Sequence, residues 1–111
     1  MDTHEIETLS QNNRGRIFRC KCCDNYNFQY NNIHMLFKWK ELANFHQTVI
    51  GLKTKEFQYN TPLGKQAMLR NDAMRMGIAF TKEEVEEIDA LFQEAAIMRT
   101  ANTLIKTNEK I

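Results

Sequence analysis

Apolar and polar positions alternate with a two-residue period through much of the first 37 residues, and the period then lengthens to that of an amphipathic helix. Glu5-Ile6-Glu7-Thr8-Leu9 and Arg16-Ile17-Phe18-Arg19-Cys20-Lys21 read as strands. The intervening Gln11-Asn12-Asn13-Arg14-Gly15 suits a tight reversal. Pairing Glu5 with Lys21, Glu7 with Arg19, Ile6 with Cys20 and Leu9 with Ile17 matches opposite charges across the hairpin. In that register Ile6, Thr8, Phe18, Cys20 and Cys22 face inward. Tyr26, Phe28 and Tyr30 alternate with amides and also face inward, after a second reversal at Cys23-Asp24-Asn25. At Asn31-Asn32 the apolar phase slips by one residue, onto Ile33, Met35 and Phe37. Either a β-bulge or the start of a new strand accounts for the slip. An uninterrupted strand would carry His34 six residues beyond Phe28, far from Cys20.

One pattern occurs twice. Phe37-Lys38-Trp39-Lys40-Glu41-Leu42, continuing to Phe45 and Val49, is echoed by Phe80-Thr81-Lys82-Glu83-Glu84-Val85, continuing to Ile88 and Phe92. Each copy is a strand entering a helix. The first helix is expected from about Lys38 to Ile50, stopped by Gly51, with Trp39, Leu42, Phe45, His46 and Val49 as its apolar stripe. The second opens on Thr81 with Glu84, a capping box, and carries Val85, Ile88, Leu91, Phe92 and Ala95 inward. Before it, residues 65–70 and 73–80 read as a hairpin turning at Asn71-Asp72, with Met74, Met76, Ile78 and Phe80 on one face. A short strand around Phe57–Tyr59 is the reading for the segment before Pro62.

Both helices need an apolar surface, and the alternating strands supply one. The fold class is therefore α+β: a two-layer sandwich, an antiparallel sheet of about five strands with two helices on one face, built from two strand-helix halves. A length of 111 residues suits a single domain spanning 1–111 with an ordered core over about 5–96. The stretch 97–111 is a helical extension or a frayed tail. An open outer face leaves free strand edges, so a homodimer through edge pairing is an expectation.

Composition changes this picture little. Apolar residues make up 42% and charged residues 26%, ordinary for a globular chain. No apolar run of about 18 residues is present, and Met1-Asp2-Thr3-His4-Glu5 lacks the features of a secretory leader, so no membrane span and a cytoplasmic location are expected. The net charge of +1 hides a basic front half, with eight Lys/Arg against two acids between Arg14 and Lys55. A charge excess of this size is first a solvated face.

The residues with chemical promise are Cys20, Cys22 and Cys23. A C-x-x-C spacing across a turn can present two thiolates to zinc, and Cys22 adds a third. A closed structural site takes four ligands, and the hairpin register brings only His4 opposite Cys22. The bland reading keeps Cys20 as a small buried hydrophobe and the others as turn residues. A disulfide-exchange motif would want a helix start after the cysteines, where a hairpin follows instead. Arg14, Arg16, Arg19 and Lys21 beside Tyr26, Phe28 and Tyr30 suggest base stacking, but in the register above the aromatics point inward and Arg19 outward, which disfavours nucleic acid. No nucleophile-base pair, paired-carboxylate pocket or phosphate loop stands out. His46 sits on the apolar stripe as a core or boundary histidine.

With Cys20-x-x-Cys23, then Tyr26, Phe28 and Asn32-Ile33, and later Phe80-Thr81 with Glu84-Val85 opening a helix, the chain resembles a small uncharacterised bacterial family, a domain of unknown function. The resemblance spans about Ile6 to Ala95 and implies a cytoplasmic bacterial protein; it carries no activity, ligand or catalytic residue. Cys22 and the segment after Ala96 depart from the family pattern. The leading expectation is a non-catalytic protein-binding or regulatory module with an unidentified protein partner and no cofactor. The alternative is a zinc-binding domain using Cys20, Cys22, Cys23 and His4, and after it an RNA-binding module.

Overall fold

The computed structural model describes residues 5–54 and 67–109. Its elements are β1 (Ile6–Gln11), β2 (Gly15–Cys20), β3 (Asn25–Tyr30), β4 (Ile33–Phe37), α1 (Trp39–Thr54), β5 (Ala67–Asn71), β6 (Met76–Phe80) and α2 (Lys82–Glu109). The fold is α+β, but the strands form two sheets: an antiparallel meander in the order β1-β2-β3-β4, and a separate two-stranded β5-β6 ribbon. The expected single sheet of about five strands is thus corrected. Alternation marks which segments are strands and leaves their hydrogen-bonding neighbours unspecified. The chain divides into two units, one of Met1–Ala43 with Ala90–Ile111 and the other of Asn44–Asp89.

In the first unit, the hairpin register is as expected at Ile6↔Cys20 and Glu7↔Arg19, and then slips, so that Ser10 rather than Leu9 faces Ile17. The bulge turns Leu9 into the core, where it is 2% exposed. Asn12 Oδ1 closes the turn by accepting from the backbone N–H of Arg14 and Gly15. At Asn31-Asn32 the strand ends and a two-residue turn begins. Tyr30 faces Ile33 directly, and Asn31 takes a φ of 52°, which Asn tolerates. The phase slip is therefore a reversal and not a bulge. It also returns His34 alongside β3, opposite Gln29, with Nε2 2.9 Å from Asn27 Oδ1.

The pairing Ile17↔Phe28↔Met35 and Arg19↔Tyr26↔Phe37 places Ile17 and Arg19 on the aromatic face of the sheet. Phe18 and Cys20 lie on the opposite face, together with Ile6, Thr8 and Asn27. The expected inner set is corrected accordingly: Phe18 and Cys20 are buried, Ile6 and Thr8 are exposed, and Ile17 is fully enclosed. Within the first unit, the aromatic face is the one against which Phe92 and Trp39 pack. Phe92 of α2 lies 5.1 Å from Phe28 between ring centroids, and Trp39 at the start of α1 lies 5.2 Å from Tyr26. Arg99 of α2 donates to the Tyr26 hydroxyl at 2.8 Å and stacks 4.1 Å over the Trp39 ring. Asn102 of α2 donates to Glu7. Residues 97–109 are therefore helical, and Arg99 and Asn102 give that stretch its contacts with the sheet.

In the second unit, β5 and β6 bury their base and expose their tip. Ala67 and Phe80 are buried, whereas Met74 and Met76 are 64% and 56% exposed. Met74 belongs to the turn and not to the strand face. α1 runs through Gly51 to Thr54 and buries Leu52 beyond it, so Gly51 is not the expected stop. Burial of a leucine, at about 1.5–3 kcal/mol, outweighs the ~1 kcal/mol that glycine costs inside a helix. The expected strand at Phe57–Tyr59 lies outside the described residues.

The repeated pattern has a structural counterpart at both helix starts. Glu41 Oε1 accepts from the Lys38 N–H at 2.8 Å, and Glu84 Oε1 accepts from the Thr81 N–H at 2.8 Å. At the second start the Glu84 N–H also donates to Thr81 Oγ1, completing the capping box.

Candidate metal centre

Cys20 is the last residue of β2, and Lys21-Cys22-Cys23-Asp24 is the turn that follows. The turn is closed by the Asp24 N–H donating to the Cys20 carbonyl at 2.9 Å, with Asp24 at a φ of 52°. Lys21 N–H donates to the Glu5 carbonyl at 3.0 Å, tying the turn to the start of β1. A reversal this short folds Cys22 and Cys23 back over the strand end. The three sulfurs stand 2.8 Å (Cys20–Cys23), 3.2 Å (Cys20–Cys22) and 3.9 Å (Cys22–Cys23) apart. Cys20 is buried and the other two are exposed.

The Cys22 thiol is pushed up to about 11, chiefly by its hydrogen bond to Cys20, then by loss of water and contact with Cys23. A cation at the cluster would act against that rise, since it favours the thiolate form that binds it. The adjacent charges are Arg19, 3.5 Å from Asp24, and Lys21, 3.9 Å from Glu5.

Among the described residues, Cys20, Cys22 and Cys23 form the one group of three metal-ligating side chains whose donor atoms all lie within 4.8 Å of one another. The three sequence-predicted cysteines are therefore brought together. His4, the fourth predicted ligand, lies outside the described residues. Arg19 shares a sheet face with Tyr26, which overturns the parity argument used against base stacking; Tyr26, Phe28 and Tyr30 are 1–2% exposed and pack within the protein.

A second cluster went unread in the sequence. Asp89 of α2, 3% exposed, accepts from Lys53 and lies 2.7 Å from His46 Nε2, both on α1. Lys53 also lies 3.1 Å from Glu86. Its hydrogen bonds to Asp89 and Glu86 raise its pKa above the ordinary lysine value. His46 is thus the satisfied boundary histidine its stripe position suggested. His46 and Asp89 are 43 residues apart, the offset of the repeated pattern, so they occupy equivalent positions in its two copies. That offset was the available signal. Arg99 was also missed, because a lone arginine in a polar run does not announce an aromatic partner.

A family model described as a family of unknown function (DUF6686) matches residues 1–110. No curated protein and no solved structure matches the chain. Among the described residues, no helix is long and apolar enough to cross a membrane.

Proposed function

The chain belongs to this family of unknown function, and from its cysteine geometry we propose that it is a non-catalytic module that binds one thiophilic metal ion, zinc in the first instance, through Cys20, Cys22 and Cys23. The convergence of three sulfurs on one turn carries the reading. A tetrahedral ion at the zinc–sulfur length of ~2.3 Å holds its sulfurs ~3.8 Å apart, so small side-chain rotations within the turn would seat it. Backbone N–H groups in such turns support thiolate sulfur. The fourth ligand we assign is His4, which stands two positions before β1 in the sequence.

The test is metal content together with a cobalt spectrum. Purified protein is expected to hold about one zinc per chain, and the cobalt form to show sulfur-to-metal charge-transfer and tetrahedral bands. Cys20→Ser should abolish both, and His4→Ala should move the tetrahedral bands. A metal content near zero after growth in zinc, with melting unchanged by chelator, would remove the reading.

A module acting through protein contacts, with a second copy as partner, is the second reading. The exposed Ile97, Leu104 and Ile105 of α2 favour it. A concentration-dependent dimer mass that Leu104→Lys abolishes would support it, and a monomer at every concentration would remove it.

A further inference from the structure

Arg19 is matched by Asp24 and Lys21 by Glu5, so among the described residues these ionised groups flanking the three thiols sum to no net charge. Three thiolates around a monovalent ion carry two uncompensated negative charges, and around a divalent ion one. Around a trivalent ion they carry none. Cys20 is 6% exposed, so part of any surplus charge would sit away from water, where an uncompensated charge is costly. The sulfur spacings point the same way. Two of the three, 2.8 and 3.2 Å, are shorter than the ~3.8 Å edge of a zinc tetrahedron. Close sulfurs suit an ion that carries a lone pair in place of a fourth ligand, because the lone pair narrows its S–M–S angles from the tetrahedral value toward a right angle. Cys22 and Cys23 are exposed, which leaves a side of the cluster open for entry.

We propose that the preferred guest of Cys20, Cys22 and Cys23 is a trivalent, three-coordinate thiophile of the arsenite type. The inference rests on the reading of the three sulfurs as one site and goes beyond it in naming the valence and geometry of the ion. Arsenous acid, As(OH)3, enters as a neutral molecule. Three As–O bonds break and three As–S bonds form; each thiol proton leaves with a hydroxide as water, so three waters are released. No electron is transferred and no co-reactant is required.

The experiment adds arsenite to the reduced, metal-free protein and to the zinc-loaded protein, counting bound arsenic by intact mass and remaining thiols with a chromogenic disulfide. One arsenic per chain, the loss of three titratable thiols and the release of bound zinc to a coloured chelator are expected. Cys22→Ser, at an exposed position, should keep its circular dichroism and lose arsenite affinity by on the order of a hundredfold, as one arm of a three-armed grip is removed. Zinc bound through the cysteines but not displaced by arsenite would overturn this inference and leave the zinc reading standing. Arsenite uptake that consumes only two thiols, or that Cys22→Ser leaves unchanged, would also overturn it. Binding of neither zinc nor arsenite would remove both.

Discussion

Two glycines show how differently the same residue type can be constrained. At Gly15 a Cβ would stand 2.3 Å from the Gln29 carbonyl oxygen across the β2–β3 pair. Backbone cannot move aside cheaply, so Gly15→Ala should destabilise the chain by roughly 2–3 kcal/mol, read from denaturant midpoints. At Gly51, inside α1, a Cβ meets nothing within 4 Å among the described residues. Gly51→Ala should therefore stabilise by about 0.5–1 kcal/mol, because alanine loses less backbone freedom on entering a helix. The sequence marks both as glycines between regular segments; what surrounds them is a matter of neighbouring strands and burial. The cysteines are similar. Their spacing was legible, while the convergence of all three sulfurs depends on a turn whose Asp24 occupies the left-handed region.

At the scale of elements, the cap that opens α2 was the most readable feature. Thr81 and Glu84 form the box their spacing announces, and Thr81→Ala should cost about 1 kcal/mol, a fall in melting temperature of roughly 3–6 °C. Strand identity was readable as well, whereas facing was not. The bulge near Leu9 and the two-residue turn at Asn31-Asn32 each add a step that alternation cannot count. The cluster of His46, Lys53, Glu86 and Asp89 joins α1 to α2 within the second unit and makes a pH prediction. Lys53 has a folded pKa above its ordinary value of 10.5, so its contribution is fully present below that pH and is lost as pH rises through the raised value. Melting temperature should therefore hold on the neutral side and fall above about pH 10.5, and Lys53→Met should flatten that alkaline limb. A limb of equal steepness in the variant would refute the assignment.

For the whole molecule, an ion bound only by the folded chain raises its stability by mass action, about 2.7 kcal/mol at a free concentration of 100 times Kd. Zinc should accordingly raise the melting temperature of the wild-type chain and leave that of Cys20→Ser unmoved. The shift should track the three sulfurs and not the Asp89 cluster, so Asp89→Asn should melt lower yet keep its zinc increment.

Local chemistry in the sequence determined the α+β class, the two strand-helix repeats, their capping carboxylates and the short spacing of the cysteines, because each depends on residues a few positions apart. Tertiary structure alone decided the division into a four-stranded and a two-stranded sheet, the face on which Ile17, Arg19 and the aromatics meet, and the seating of Arg99 on Tyr26 and Trp39. Those outcomes depend on register, and one inserted or reversed residue transfers every later side chain to the other face.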